Sequence, residues 1–328
     1  MRYLVTGAAG FIGSALVRAL LRADHAVRAL DDESRGSRLR LKDVESEIEW
    51  VQGDVRDPAI VNQAVQDVDA VCHLAAVNGT EFFYTRPELV LEVAVKGMLN
   101  VLDACLAHGV GELFVASSSE VYQTPPKVPT DETVPLSIPD PHNPRYSYAG
   151  GKMISELLAL NYGRNKMRRV VIFRPHNVYG PNMGWEHVIP QLTLRIAGLR
   201  QRTEGPVELT IEGTGEQTRS FVYIDDFTAG LMKLVDKGEH LGIYNIGTEE
   251  EISIKTLAEE IANYFDRHIK IVPTEPKSGG TLRRCPSIQR LRALGYVPST
   301  SLKQGLSKTI PWYVENAKLN PRAASSKP

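Results

Sequence analysis

Two hydrophobic periods take turns along the first half of the chain. MRYLVTG is a short apolar run ending in glycine, and FIGSALVRALLRA then carries apolar residues at helical spacing. HAVRALDD, IEWVQGDV and DAVCHLAAV read as a second, third and fourth strand, each bounded by polar or turn residues and separated by room for a helix. ELVLEVAVKGMLNVLDACLAHG predicts a long helix ending at Gly109, GELFVASSS a fifth strand, YAGGKMISELLALNYGR another helix and RRVVIFRPHNVYG a sixth strand. Alternation this regular implies an α/β fold with a parallel sheet covered on both faces.

Beyond Asn177 the pattern loosens, marked by proline, glycine and charge. VIPQLTLRIAG, SIKTLAEEIANYF and SLKQGLSKTIPWYVENA predict helices, and IYNIG a further strand of the sheet. The expected division is a first domain over 1–176, rejoined by 215–248, and a smaller lobe over 177–214 and 249–315. The end, 316–328, is polar without apolar periodicity and is expected to be mobile.

Composition narrows the function. The 328 residues carry 38 basic and 39 acidic side chains, a net charge of -1, and no block of like charge, which argues against nucleic-acid and membrane-surface partners. Cys72, Cys105 and Cys285 are far apart and lack metal-ligand spacing, so they read as reduced and structural, and no metal site is expected. The start MRYLVTGAAG does not read as a leader, and no apolar run is long enough to span a bilayer; a soluble cytoplasmic protein is expected.

Chemistry enters with TGAAGFIG. Gly7, Gly10 and Gly13 stand between the first strand and the first helix, where glycine permits a tight turn and the helix N-terminus presents free N–H groups to a pyrophosphate. With an acid, Asp31 or Asp32, ending the second strand, this is the layout of a doubly wound, Rossmann-like dinucleotide site, and the carboxylate favours NAD over NADP. Arg35 is the one nearby cation, read as a loop arginine. Asp54 after the third strand can reach an adenine amino group, while Asp57 fits a helix cap better. Ala75 and Ala76 are small enough for a dinucleotide to lie against the sheet, and His73 before them reads as structural.

Tyr148 and Lys152 lie four apart at the start of a helix and so share a face. An ammonium beside a phenol favours the phenolate, which makes tyrosine a base. SSSEVYQ, at the end of the fifth strand, adds hydroxyls and the carboxylate of Glu120 to the same strand-end region.

TGAAGFIG, LDD, GDVRD, HLAA, SSSEVY, YAGGK, RPHNVYGP and EQTRSFVYIDD run in one order along most of the chain. In these motifs the chain resembles an extended short-chain dehydrogenase/reductase of the NAD-dependent nucleotide-sugar epimerase/dehydratase family. The resemblance implies that Tyr148 takes a proton from a sugar hydroxyl, usually on C4, that Ser118 hydrogen-bonds the same oxygen, and that Lys152 tunes Tyr148 and binds ribose. It implies a cofactor site of Gly7, Gly10, Phe11, Ile12, Gly13, Asp31, Asp32, Asp54, Val55, Leu74, Ala75, Ala76, Tyr148, Lys152 and His176. The implied substrate site for a nucleotide-diphosphate sugar is Thr80, Ser118, Ser119, Glu120, Tyr148, Asn177, His187, Val188, Arg219 and Arg284, and a homodimer through the long helix and the helix after Tyr148 is implied as well.

The chain departs from the family pattern at several places. Ala94 in AVKGM takes an asparagine's place, YAGGK lacks the commoner serine before lysine, Gln123 stands where glycine is usual and Ser287 where aspartate is frequent. Trp185, Glu186 and His187 in NMGWEHVIPQ, and Thr80 and Glu81 in NGTEFFY, face the sugar or form surface loops. A C4 epimerase needs only Ser118, Tyr148 and Lys152 and is the leading expectation; a 4,6-dehydratase or a UDP-glucuronate decarboxylase would use Glu120 in addition. A catalytically silent NAD or nucleotide-sugar binding protein is the alternative from a different class, opposed by the presence of all three groups together.

Overall fold

The computed structural model describes residues 1–200, 206–275 and 281–320. Its central sheet has seven strands: β1 (Arg2–Thr6), β2 (Ala26–Asp31), β3 (Ile48–Gln52), β4 (Ala70–His73), β5 (Glu112–Ala116), β6 (Arg169–Pro175) and β7 (Gly242–Ile246). All neighbours pair in parallel, in the order β7-β6-β5-β4-β1-β2-β3. The chain therefore winds outwards from β1 to β3, returns to β4 beside β1, and winds the other way. Between β1 and β4 a crevice opens beyond the carboxyl ends of the strands.

The inner strands of the sheet are buried on both faces because they are apolar at successive positions rather than at alternate ones, whereas edge strand β3, IEWVQ, is only half-buried. Period-two geometry sends Tyr3, Val5, Phe114 and Phe173 to one core, shared with α1 (Phe11–Arg22), and Leu4, Leu113, Val115 and Ile172 to the other. That second core is closed by α2 (Pro58–Val65), α3 (Pro87–Ala107) and α4 (Ser147–Gly163). Each such leucine, valine or phenylalanine stabilises the fold by about 1.5–3 kcal/mol through burial. Asp57 caps α2, accepting from the Ala59 and Ile60 amides, as its sequence position implied. All three cysteines are free and buried.

Past β6 come α5 (Val188–Arg200), α6 (Ile224–Lys237), α7 (Ile254–Tyr264) and α8 (Leu302–Glu315), whose start is a Ser301/Gln304 capping box. A small sheet of Glu251–Ser253, Thr218–Ser220 and Arg283–Arg284 sets Arg284 opposite Arg219. No helix among the described residues is long and apolar enough to cross a membrane, and no group of side chains there could hold a metal ion.

The elements differ from the sequence reading in three places. The connection from β2 to β3 is a run of 3-10 turns, Arg38–Glu47, rather than an α-helix. The sixth strand stops at Pro175 because Asn177 turns to φ +40; Val178–Tyr179 then pairs separately with Val222–Tyr223. Of the expected mobile tail, Ala317–Leu319 forms a 3-10 turn, and 321–328 lie outside the described residues.

The fold also accounts for Ala94 and the missing serine of YAGGK. A Cβ added at Gly151 would come 2.7 Å from the Ala94 Cβ, so α3 and α4 meet through two small residues. Ser155, one turn on, donates to the Ala94 carbonyl at 3.1 Å.

Candidate active site

One cavity of about 620 Å³ runs along the carboxyl ends of the strands. Its first end is built by TGAAGFIG. Gly7 has φ +69, and a Cβ there would sit 2.8 Å from the Ala75 amide nitrogen; at Gly13 it would meet the Gly7 carbonyl at 2.0 Å. Only glycine leaves the strand-to-helix turn this close to the sheet. Gly10 precedes α1 without a side-chain cap, so the first amides of the helix, at Phe11 and Ile12, are free to hold an anion on the cavity wall. The cradle fits a dinucleotide.

Asp31 ends β2 and accepts from the Ala9 amide at 2.9 Å and the Glu33 amide at 2.8 Å; burial pushes its carboxyl up against those two donors. Asp32 is exposed and accepts from Ser34. Both line the cavity with acceptor capacity left for ribose hydroxyls. Arg35 is turned away from them: it donates to the Asn78 carbonyl at 2.7 Å and lies 4.3 Å from the centre of the Phe82 ring. Asp54 is on the wall as well, held by Arg56 at 2.6 Å, which keeps its carboxyl below the usual range. Val55, Leu74, Ala75 and Ala76 complete this end. His73 is structural as expected, hydrogen-bonded to Thr6 at 2.8 Å and pushed down to about 3 by burial.

Ser118, Ser119, Glu120, Tyr148 and Lys152 line the other end of the same cavity. Ser118 caps the 3-10 turn Ser119–Tyr122 by accepting from the Glu120 amide at 3.1 Å. Tyr148 stacks on Phe83, with ring centres 5.0 Å apart and planes 16° from parallel. Lys152 donates to the Ala116 carbonyl at 2.7 Å, and its ammonium lies 5.9 Å from the Tyr148 ring centre. Burial pushes the Tyr148 phenol up to about 12, against a lowering hydrogen bond from Ser118, and pushes Lys152 down to about 8. The Tyr/Lys spacing predicts a lowered phenol; in the protein alone burial, with Glu120 adding to it, raises the phenol against the Ser118 hydrogen bond.

Glu120 projects from that 3-10 turn to Arg284, at 2.6 Å. Burial pushes its carboxyl up, but Arg284, with Arg145 and Arg219 behind it, pulls it further down, so Glu120 is ionised. Burial and the neighbouring Arg284 together bring Arg219 down to about 10. Arg284 keeps a buried Nε–H with no partner among the described residues. Thr80, Asn177, Glu186 and His187 also face this cavity, whereas Trp185 packs on Trp312 and Tyr313.

Three residues of the expected site lie off the cavity wall. His176 is 1% exposed and hydrogen-bonds Asn245 at 3.1 Å, since its neighbours Pro175 and Asn177 take the cavity side. Val188 opens α5 and packs on the core, and Arg219 stands behind Arg284. The sequence reading missed Phe83, Arg145 and Arg40. Arg40 donates to the Ala9 carbonyl at 3.1 Å and the Asn182 carbonyl at 3.2 Å, tying the glycine turn to the NMGWEHV loop. A lone arginine in LRLKD carries no local signal for that.

Behind Ser118, Tyr148 and Lys152 lies a buried polar network. Ser117 donates to Glu156 at 2.5 Å, Glu156 pairs with Arg174 at 2.6 Å, Arg174 donates to Tyr122 at 2.7 Å, and Tyr122 to Asn245 at 2.9 Å. It braces the ends of β5, β6 and β7 against α4.

A dinucleotide cradle and a proton-transfer group in one cavity are the layout of an enzyme that oxidises a hydroxyl and keeps the electrons close at hand. The chain belongs to the NAD dependent epimerase/dehydratase family, whose pattern matches residues 3–247, and NAD is its cofactor. It is 32% identical to a dTDP-glucose 4,6-dehydratase of Mycobacterium tuberculosis over 96% of this chain and 94% of that one. With UDP-glucuronic acid decarboxylase 6 of Arabidopsis thaliana it shares 33% identity, covering 93% of this chain and 87% of the relative. The solved UDP-glucose 4-epimerase of Thermus thermophilus in complex with NAD superposes with a TM-score of 0.82 at 30% identity, over 96% of this chain and 99% of that one.

Proposed function

We propose that this enzyme oxidises C4 of a nucleotide-diphosphate uronic acid and then releases the C6 carboxylate as CO2. The supporting observation is the Glu120–Arg284 pair, 2.6 Å apart on the wall that also carries Ser118, Tyr148 and Lys152. When bound, NAD would supply the hydride acceptor, the hydride return and, while oxidised, a positive charge. Tyr148 receives the proton of the C4 hydroxyl, and Ser118 holds that oxygen. The resulting 4-ketone is β to the C6 carboxylate, so the C5–C6 electron pair moves into an enolate as CO2 departs, Ser118 and Tyr148 stabilise the enolate oxygen, and C5 takes a proton from solvent to restore the ketone before the hydride returns to C4. Arg284, on the cavity wall and with an Nε–H unpaired among the described residues, suits a carboxylate, and Arg219 behind it adds positive charge.

Dehydration at C6 is the second reading, supported by the ionised state of Glu120, which can take a C5 proton. It needs an acid for the leaving hydroxyl as well, and the residue beside Glu120 is Ser119. Epimerisation at C4 needs neither Glu120 nor Arg284. Incubation with UDP- and dTDP-linked sugars and uronic acids, read by product mass, separates the three: loss of CO2 is expected, while loss of water or an unchanged mass sinks the proposal. In Glu120→Gln the first oxidation, followed as reduced dinucleotide absorbance, is expected to persist while product release falls about 10²-fold or more.

We further propose that two copies pair through α3 and α4, where Leu91, Ile154 and Leu157 are 37%, 40% and 59% exposed. Sedimentation is expected to show a dimer that Leu157→Glu splits; a monomeric parent protein would refute the pairing.

A further inference from the structure

Gln123 follows the 3-10 turn that carries Glu120, and its backbone is at φ 52, ψ -112. These are the angles of the first central position of a mirror-image turn, a conformation that glycine adopts freely and that costs an L-residue free energy. Gln123 is nevertheless buried, 4% exposed, and something must be gained by a side chain there.

The hydrogen bonds around it close on themselves. Gln123 Nε2 donates to the Glu120 carbonyl at 2.6 Å, and the Gln123 carbonyl accepts from Thr281 Oγ1 at 3.2 Å. Thr281 Oγ1 in turn accepts from Arg284 Nη2 at 3.2 Å, while Arg284 Nη1 donates to Glu120 Oε1 at 2.6 Å. The circuit leaves the backbone of Glu120, passes through Gln123, Thr281 and Arg284, and returns to the carboxylate of Glu120. It joins the end of β5 to the Arg283–Arg284 strand, and all its links are buried or half-buried. A glycine at 123 would relax the backbone and keep the amide's own bond to the Glu120 carbonyl, 3.2 Å, but would lose the shorter side-chain bond that locks the start of the circuit.

We infer that Gln123 is a positioning residue that aims the Glu120–Arg284 pair at the reacting sugar. The inference rests on the proposed reaction only for which step it serves, the one after oxidation; that Gln123 holds the pair is a statement about geometry alone. The strain at Gln123 is then stored where a freely rotating glutamate would be useless: without the circuit, Glu120 keeps its charge but not its direction.

Two readouts test it, one of them independent of turnover. In ligand-free protein, carbodiimide-driven amidation of carboxyl groups, mapped by mass spectrometry, is expected to reach Glu120 slowly in the parent and several-fold faster in Gln123→Gly and in Thr281→Val. In single turnover, both variants are expected to keep the amplitude and rate of the first oxidation and to slow final product release by about 10- to 100-fold. Gln123→Gly is also expected to melt no lower than the parent, since glycine suits the backbone there. Faster labelling with unaffected product release keeps the positioning role and overturns the reaction assigned to Glu120. Unchanged labelling in both variants, or an equal loss in both steps with a lower melting temperature, overturns the inference and leaves Gln123 as a space-filling residue.

Discussion

Tyr148→Phe is expected to lower turnover by about 10²–10⁴ with little change in the melting temperature or in dinucleotide binding. The substitution removes only the phenolic oxygen. The ring keeps its stack on Phe83, 5.0 Å away, and its burial, so the cavity wall is preserved. In the proposed mechanism what is lost is the acceptor for the hydroxyl proton, which neither Ser118 nor Lys152 replaces: Ser118 is already capping the Glu120 amide, and Lys152 is committed to the Ala116 carbonyl. A pH profile of the parent enzyme adds a check. Burial pushes Lys152 down to about 8 although Glu156 pulls the other way, so its ammonium is present at neutral pH and lost as pH rises past that value. If the ammonium is needed beside the phenol, activity falls on that alkaline side. Full turnover in Tyr148→Phe, measured by steady-state kinetics on the substrate found in the mass assay, would remove the mechanism altogether.

Arg174→Met is the substitution expected to cost most in stability, about 3–5 kcal/mol. The Arg174 and Glu156 side chains are 2% and 3% exposed, and Arg174 donates to both carboxylate oxygens, at 2.8 and 2.6 Å. Removing the arginine leaves a carboxylate in the core with Ser117 as its remaining donor, and takes from Tyr122 a donor as well. Replacing both members, as Arg174→Met with Glu156→Leu, is expected to recover much of the loss, because two apolar side chains need no charge compensation. Denaturant midpoints at constant slope measure both effects. A single variant within about 1 kcal/mol of the parent would show that the pair is not what holds these strand ends.

The elements that position the site were legible in the sequence because their signals are local. A strand running into TGAAGFIG and a helix states where a pyrophosphate can sit, and Asp31 or Asp32 follows as the acid at the end of β2. Tyr148 and Lys152 share a face of α4 by helical repeat alone. Other features were outside its reach. His176 was placed in the cofactor site by motif position, but the turn at Asn177 decides which of its neighbours face the cavity. The direction of the Tyr148 shift depends on how much of the protein covers the phenol, and Phe83, which does the covering, comes from a different segment.

Gln123 shows the boundary most clearly. As a departure from an expected glycine it was visible in SSSEVYQ, yet only the structure shows its positive φ and the circuit through Thr281 and Arg284. By itself, then, the sequence determined the alternating strands and helices, the dinucleotide turn and the Tyr/Lys face, because each is set by spacing within one segment. Tertiary structure alone decided that Glu120 meets Arg284 across a separation of 164 residues, that Ala94 and Gly151 let α3 and α4 touch, and that burial raises the Tyr148 phenol. Those outcomes depend on which distant groups are brought together and how much water is excluded between them, and no local period encodes either.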